Sequence, residues 1–408
     1  MLAQALEQRN MVAAWKRVKA NGGSAGVDGR TVRQTGEDLV TEWADIRQAL
    51  LDGVYRPSPV RRVAIPKPGG GSRELGIPTV VDRLIQQALL QVLQPMIDPT
   101  FSAHSHGFRP GRSAHGALLE AQRHVEQGYR VVVDVDLEKF FDRVNHDILL
   151  DRLAKRIADK AVLRLIRRYL EAGILAHGVV LERAQGTPQG GPLSPLLANV
   201  LLDEVDRELE RRGHKFVRYA DDSNVYVKSM RAGHRVLAGL KRCYAKLRLK
   251  VNATKTAVAA VRGRKFLGYC LWFAPKGEVR RAVAKEALHR YKQRIRQLTK
   301  RQTGRSLDQI AHDLRGYMPG WKAYFSLAQT PKVWRELDEW LRHRLRAIQL
   351  KQWGRGTTAY RALIALGASK DTALRVASNP KFLLPRSAFG HLCQALGVSS
   401  AFRFLSTR

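Results

Sequence analysis

Cysteine is scarce in this chain, and its three cysteines, Cys243, Cys270 and Cys393, are widely separated. They show no paired spacing of the kind that builds a disulfide framework or a cysteine-based zinc site, which suits a reducing compartment. The N-terminus lacks the unbroken apolar run of a signal peptide, and no apolar stretch reaches the length of a membrane span. These absences argue against a secreted disulfide scaffold or a membrane protein, and they predict a cytoplasmic protein.

Acidic side chains are few relative to basic ones. The chain contains 71 Lys and Arg residues against 36 Asp and Glu residues, which gives a formal net charge of +35. The excess is densest in the last third, residues 276–408. Because such a surplus repels itself until a polyanion arrives, it predicts contact with nucleic acid.

Two of the few acids are adjacent, Asp221 and Asp222, and they lie between two short strand-like runs. Neighbouring carboxylates at the tip of a hairpin repel each other and add nothing to a core. A divalent cation would neutralise them, and Mg²⁺ prefers oxygen ligands of this kind. The alternative is a pair of solvated loop acids.

A further carboxylate is available at the end of another predicted strand. The β-branched run that begins at Arg130 ends at Asp136, whereas Asp134 lies further inside it. Asp136 together with the adjacent pair could hold two Mg²⁺ ions about 3.5–4 Å apart. One ion would activate an attacking 3′-oxygen and the other would stabilise a leaving pyrophosphate.

Seven ordered motifs resemble those of reverse transcriptases, and more closely those of bacterial group II intron-encoded reverse transcriptase/maturases. The resemblance covers roughly residues 10–360. The motifs are RELGIP at 73–78, HGFRPGR at 106–112, DLEKFFD at 136–142, GTPQGGPLSP at 186–195, YADD at 219–222, VNATKT at 251–256 and FLGY at 266–269.

The resemblance implies an α+β (mixed) fold, a right-hand polymerase with fingers, palm and an α-helical thumb/maturase region. The palm would be a small, mostly antiparallel sheet backed by helices. The predicted domains are 1–58, an N-terminal helical extension and loop; 59–275, fingers and palm; 276–360, thumb/maturase; and 361–408, a basic tail and DNA-binding remnant without an endonuclease domain.

The resemblance also implies roles for individual residues. The catalytic and metal-binding set is Asp136, Leu137, Asp221 and Asp222, with two Mg²⁺ ions or Mn²⁺ as a substitute. The nucleotide-binding set is Lys67, Arg73, Phe141, Gln189 and Lys255. The primer and template set is Arg109, Arg112, Tyr219, Phe266, Leu267, Gly268 and Tyr269. The RNA-binding set is Arg335, Arg342, Arg344 and Arg346.

Several of these roles have a structural alternative. Phe141 would crowd a ribose 2′-hydroxyl, or it is a core residue, which is the stronger interpretation for Phe140. Arg109 and Arg112 would either contact phosphates or brace their loop. Lys255 would protonate the leaving pyrophosphate or close over the substrate, or it is simply solvated.

The sequence thus predicts an RNA-directed DNA polymerase that extends a DNA primer with dNTPs on an RNA template and also binds a structured intron RNA as a splicing maturase. We expect it in the bacterial cytoplasm, including the nucleoid, with no membrane partner and no sequence signal for an oligomeric state. One alternative is an RNA-binding splicing cofactor whose polymerase is incidental. Another is a domesticated relative that acts in DNA repair or antiviral defence.

Overall fold

The structure is a computed structural model that describes residues 1–66, 72–176, 179–181, 185–187, 190–300 and 304–378. Lys67 and Gln189 therefore lie outside the described residues, as does the side chain of Arg73. The chain forms two compact units, Met1–Ala260 and Val261–Arg408. The domain borders at residues 58, 275 and 360 stay predictions. Within the described ranges, no helix combines the length and apolarity needed to cross a membrane.

Helices and strands alternate in the first unit, and helices dominate the second. The helices are α1 (Leu2–Ala5), α2 (Gln8–Asn21), α3 (Val32–Leu51), α4 (Val80–Ile97), α5 (Ala114–Glu126), α6 (His146–Ala154), α7 (Lys160–Glu171), α8 (Ser194–Arg211), α9 (Met230–Lys246), α10 (Lys285–Leu298), α11 (Leu307–Tyr324), α12 (Pro331–Trp353), α13 (Gly356–Ala365) and α14 (Lys370–Ser378). The strands are β1 (Val60–Pro66), β2 (Ser72–Ile77), β3 (Val131–Val135), β4 (Ile174–Ala176), β5 (Val179–Leu181), β6 (Lys215–Tyr219), β7 (Asp222–Val227), β8 (Ala257–Ala260), β9 (Lys265–Phe266), β10 (Tyr269–Phe273) and β11 (Val279–Val283).

The central sheet of the first unit has the strand order β6-β7-β3-β8, and every neighbouring pair is antiparallel. Valines of β3 and β7, among them Val133 and Val225, are fully buried and join the main hydrophobic core. Helix α8 lines the same core, and it begins at Ser194 followed by Pro195, as the sequence predicted. The apolar pattern of these segments therefore fixes which face of the sheet is buried.

A second sheet of this unit, in the order β2-β1-β4-β5, contains the predicted hairpin between residues 59 and 80. The segment Leu249–Asn252 is strand-like in sequence but does not form a strand in the structure. That segment contributes an isolated bridge between Val251 and Leu137, and strand β8 begins later, at Ala257. The reason is local: the side-chain oxygen of Asn252 accepts hydrogen bonds from the backbone N–H groups of Thr254 and Lys255, which turns the chain.

The second unit has a three-stranded antiparallel sheet, β11-β10-β9, followed by helices. Helix α11 begins with a capping box, in which the side chains of Ser306 and Gln309 each accept from the other residue's backbone N–H. The apolar faces of α11 and α12 meet in one core that includes Leu314 and Leu341. The α+β mixture of elements is that predicted from the sequence.

Candidate functional site

The paired acids lie at the turn between β6 and β7. Tyr219 pairs with Asp222 across the hairpin, so Ala220 and Asp221 form a two-residue loop. Ala220 has φ +56°, the left-handed region that such tight turns require and that an L-residue adopts only at a cost of about 1–2 kcal/mol. Asp221 is half-buried and Asp222 is exposed. The turn thus presents two carboxylates from a strained backbone held by its surroundings.

Asp136 lies next to this turn because of the strand register. Strand β3 pairs with β7 up to Val135 opposite Ser223, and Asp136 directly follows Val135, as Asp222 directly precedes Ser223, so this register continued by one residue brings the two acids opposite each other. Residues directly opposite on antiparallel strands have Cβ atoms about 4.5–5.5 Å apart. The register therefore brings the predicted carboxylates to one edge of the sheet. Leu137 follows as a buried residue that bridges to Val251.

The segment 252–256 fixes the backbone of Asp136. The N–H of Asn252 donates to the carbonyl of Asp136 at 2.8 Å, and the hydroxyl of Thr256 lies 3.2 Å from the N–H of Asp136, from which it accepts. The ammonium of Lys255 is 3.7 Å from a carboxylate oxygen of Asp136, and both side chains reach solvent. The donor chemistry of this edge, carboxylate oxygens with a nearby lysine, fits a hard divalent cation and phosphate.

Arg218 carries a buried network that sequence reasoning missed. Its guanidinium donates to both carboxylate oxygens of Asp206, and both side chains are only 1% exposed. Burial opposes its charge, but the Asp206 carboxylate outweighs burial and raises the pKa of Arg218. The same guanidinium donates to the side chain of Asn199 at 2.8 Å and to the carbonyl of Ala220 at 2.9 Å. Arg218 thus holds the strained turn residue in place.

Gly107 approaches the same turn from the loop before α5. A Cβ atom at this position would lie 2.1 Å from the backbone nitrogen of Ala220, far inside van der Waals contact. The carbonyl of Gly107 accepts a hydrogen bond from the side chain of Asn199 at 2.9 Å. Glycine is therefore required here because two stretches of backbone pack directly against each other.

Phe141 and Phe140 occupy a short 3-10 turn that follows Asp136. Phe140 is buried in the core, as predicted, whereas Phe141 is half-buried and makes an edge contact with it at 5.0 Å between ring centroids. The carbonyl of Phe141 accepts from the N–H of Thr187 at 2.7 Å. Thr187, which belongs to the same sequence motif as Gln189, is therefore attached to the backbone of Phe141.

Arg109 is a correction to the predicted primer and template set. All five of its N–H groups donate within the protein, to Asp98 and to the carbonyls of Ser102 and Ser105, and its side chain is 5% exposed. It therefore braces the loop, and it has no donor left for a phosphate. Arg112, in contrast, is exposed and donates to the carbonyl of Ala103 at 3.0 Å.

The predicted primer residues at 266–269 belong to the second unit. They form the tight turn between β9 and β10, in which Leu267 and Gly268 both have positive φ angles. The rings of Phe266 and Tyr269 are buried, and Tyr269 donates to the carbonyl of Tyr324. The carbonyl of Leu267 accepts from the hydroxyl of Tyr324 and the carbonyl of Gly268 accepts from the N–H of Ala284, both at 2.9 Å, so the turn is tied to the rest of the second unit.

The four arginines predicted to bind RNA lie on α12 in different surroundings. Arg335 is exposed, whereas Arg342 pairs with Asp338 at 2.6 Å. Arg344 donates to the side chain and carbonyl of Thr299 at the end of α10, so it joins two helices. Arg344 and Arg346 are both half-buried, and RNA binding by these four arginines stays a prediction.

Comparisons with known proteins identify the family. Residues 65–271 match the model described as "Reverse transcriptase (RNA-dependent DNA polymerase)", and residues 288–365 match "Group II intron, maturase-specific domain". Protein YkfC of Escherichia coli (strain K12) is 33% identical over 288 residues, which are 60% of this chain and 75% of that protein. The group II intron-encoded protein LtrA of Lactococcus lactis subsp. cremoris is 42% identical over 174 residues, 42% of this chain and 29% of LtrA.

A solved structure, "Partial Cas6-RT-Cas1--Cas2 complex", is 28% identical, with a TM-score of 0.39, over 60% of this chain and 42% of that one. The chain covers less than a third of LtrA's own length. The chain belongs to the reverse transcriptase family and carries a group II intron maturase domain. The predicted family and the right-hand polymerase fold class are thereby confirmed. Enzymes of this family use divalent metal ions, and the carboxylate edge described above supplies suitable ligands.

Proposed function

We propose that this protein is an RNA-directed DNA polymerase that extends a primer 3′ end with deoxynucleotides, using two Mg²⁺ ions, and that it also binds a structured intron RNA as a splicing maturase. The observation that carries the polymerase proposal is the strand register that sets Asp136 opposite Asp222 at the turn containing Asp221. The adjacent acids Asp221 and Asp222 and the sequence-distant Asp136 would share one edge of the sheet, beside Lys255.

In this proposal the residues of the chain bind the metal ions and orient the nucleotide. Asp136, Asp221 and Asp222 would hold the ions, with the carbonyl of Leu137 as a further oxygen. Bound Mg²⁺ supplies Lewis-acid stabilisation of the attacking and leaving oxygens. Lys255, which already lies 3.7 Å from Asp136, would meet the phosphates of the nucleotide and give a proton to the leaving pyrophosphate. Catalysis of this kind depends on positioning and electrostatics, because phosphoryl transfer needs little covalent chemistry from the protein.

The maturase role is supported by the matched maturase-specific domain and by the basic excess of the C-terminal third. An exposed residue such as Arg335 offers charge to RNA phosphates. The same observations support an RNA-binding splicing cofactor whose polymerase is unused, and only activity measurements separate that alternative. We infer that the protein works in the bacterial cytoplasm, where intron RNA, DNA and dNTPs occur together.

The first test is primer extension on an RNA template with purified protein, with and without Mg²⁺. We expect extension to require the ion and to fall by at least about 100-fold in Asp221→Asn, since a preorganised electrostatic group is worth roughly that much. Asp151→Asn is the matched control, because Asp151 is an exposed acid of α6 paired with Arg152 and Lys155. Full extension by Asp221→Asn would overturn the polymerase proposal.

A second measurement separates the two roles. The double variant Asp221→Asn/Asp222→Asn should lose extension yet still support splicing of its intron RNA, because RNA binding does not need the metal edge. Loss of splicing in a normally folded double variant would contradict independent roles. Extension that survives with no effect on splicing would contradict the catalytic assignment.

A further inference from the structure

Three histidines surround one glutamate at the edge of the central sheet, and none of these residues belongs to the proposed polymerase site. Glu120 and His124 are one turn apart on α5, and His104 and His106 come from the loop before it. Ligand atoms of His104, Glu120 and His124 all lie within 4.8 Å of one another. Nε2 of His106 is hydrogen-bonded to the second carboxylate oxygen of Glu120 at 2.7 Å.

His124 is buried against the rings of His104 and Tyr226. The residue is only 7% exposed, and neither ring nitrogen makes a hydrogen bond in the part of the chain that the structure describes. Its Nε2 lies 3.6 Å from a carboxylate oxygen of Glu120. A buried polar group without a hydrogen bond costs about 1–3 kcal/mol. His124 therefore points toward Glu120 without being satisfied by it.

We propose that His104, Glu120 and His124 bind a divalent transition metal ion of the Zn²⁺ class. Two imidazoles and one carboxylate are a donor set that suits Zn²⁺ and is foreign to Mg²⁺, which takes oxygen ligands. In a tetrahedral zinc site the donor atoms lie about 3.4 Å apart, as bonds of about 2.0–2.1 Å require. Nε2 of His124 and an oxygen of Glu120, 3.6 Å apart, already have nearly this spacing, whereas His104 and Glu120 are in direct contact and would separate to admit the ion.

His106 fits the role of an outer partner that holds the carboxylate. Its bond to one oxygen of Glu120 leaves the other oxygen toward His104 and His124. Outer partners of this type orient metal ligands and increase their affinity for the ion. His104 is a third exposed, which leaves a path by which an ion can enter. Binding would release the proton that His104 shares with Glu120, so affinity should fall at acidic pH.

The proposed site is joined to the polymerase turn through the backbone. The carbonyl of His104 accepts from the N–H of Arg218 at 2.9 Å, and the N–H of His106 donates to the carbonyl of Arg218 at 2.8 Å. An ion that ties this loop to α5 would therefore brace the strand that carries Arg218 and, through it, the carbonyl of Ala220. The ion would be structural, and it is separate from the ions of the proposed reaction.

The test is a competition titration of chelator-treated, full-length protein with Zn²⁺ against a chromogenic chelator, in a large excess of Mg²⁺ that saturates the carboxylate edge. We expect one Zn²⁺ equivalent and a raised melting temperature, because an ion that binds the native state stabilises it. Glu120→Gln and His124→Gln should each weaken binding by more than the 10- to 100-fold that the loss of an outer partner causes. His234→Gln, which removes an exposed histidine from α9, should bind like the parent.

Co²⁺ provides a readout on the unaltered protein, in case the variants fail to fold. We expect visible d–d bands of a tetrahedral site and paramagnetically shifted N–H signals from two imidazoles, both abolished by one equivalent of Zn²⁺. Thiolate charge-transfer bands would assign binding to a cysteine and overturn the proposal. The proposal would also be overturned if the parent bound no Zn²⁺ equivalent tightly, or if tight Zn²⁺ binding persisted in folded Glu120→Gln and His124→Gln.

Discussion

The guanidinium of Arg218 bonds both carboxylate oxygens of Asp206 while also donating to the carbonyl of Ala220, and both charged side chains are fully buried. A strand residue with no access to substrate thereby connects helix α8 to the turn that presents the paired acids. Breaking a buried ion pair by removing one partner typically costs about 3–5 kcal/mol. Removing both partners leaves no uncompensated charge. A double variant can therefore separate the effect of Arg218 on folding stability from its effect on the position of the turn.

We predict that Arg218→Met destabilises the protein by several kcal/mol, and that Arg218→Met/Asp206→Leu recovers part of this loss. Neither variant should recover polymerase activity, since the carbonyl of Ala220 has lost its donor. The measurements are urea unfolding and the separate kcat and KM for dNTP. We expect the double variant to lose kcat by at least about 10-fold with KM little changed. Parental kcat in the folded double variant would rule out a positioning role.

The half-buried ring of Phe141 should set discrimination against ribonucleotides. Phe141→Ala opens space beside the predicted sugar position, so we expect it to add ribonucleotides more readily than the parent in a single-nucleotide extension assay. Phe140→Leu is the matched control, because Phe140 is a core residue in contact with Phe141. The control should lower the melting temperature without altering sugar selectivity. Equal selectivity in parent and Phe141→Ala would remove this role.

The arginines of α12 should divide into RNA contacts and structural braces. Binding to structured RNA is expected to weaken steeply with salt, because each phosphate contact releases counterions. Arg335→Ala, at an exposed position, should reduce the slope of log affinity against log salt by about 1. Arg344→Ala should lower the melting temperature instead, since its guanidinium joins Thr299. Filter binding across a salt series checks both, and a salt-independent affinity in the parent would contradict the electrostatic argument.

Asp338 predicts a pH dependence of stability in the second unit. Burial raises its pKa from 3.8 to about 6, although the pairing with Arg342 opposes this rise. The folded state therefore binds a proton more tightly than the unfolded state, and stability contributed by this group falls as pH rises from about 4 to about 6. The free energy of unfolding of Asp338→Asn, relative to that of the parent, should accordingly be larger at pH 7.5 than at pH 4.5. Urea unfolding at the two pH values gives the difference, and an unchanged difference would show that Asp338 is not perturbed.

Much of the carboxylate edge could be anticipated from sequence. The β-branched run that ends at Asp136 and the two strands flanking Asp221 identify their own elements, and an antiparallel sheet then aligns them. The roles of Arg109 and Arg218 could not be anticipated in this way. Their partners, Asp98 and Asp206, are 11 and 12 residues away, and whether an arginine faces a carboxylate or solvent depends on how distant elements pack.

The histidine cluster was missed for a different reason. Glu120 and His124 have the i, i+4 spacing that places two ligands on one face of a helix, so half of the cluster was visible in the sequence. The other half consists of His106, which begins a motif that was interpreted through its arginines, and His104, two residues before that motif. The loop reaches α5 only because its backbone pairs with Arg218, a contact that no local pattern encodes.

The direct packing of the Gly107 backbone against the backbone of Ala220 has a practical consequence for anyone who would adapt this enzyme for cDNA synthesis. Mutagenesis libraries that randomise the loop will return only glycine at this codon among functional clones, because even a methyl group would displace Ala220. Screening effort is better directed to neighbouring positions, and an unexpected tolerant substitution at this codon would itself report that the turn can be rebuilt.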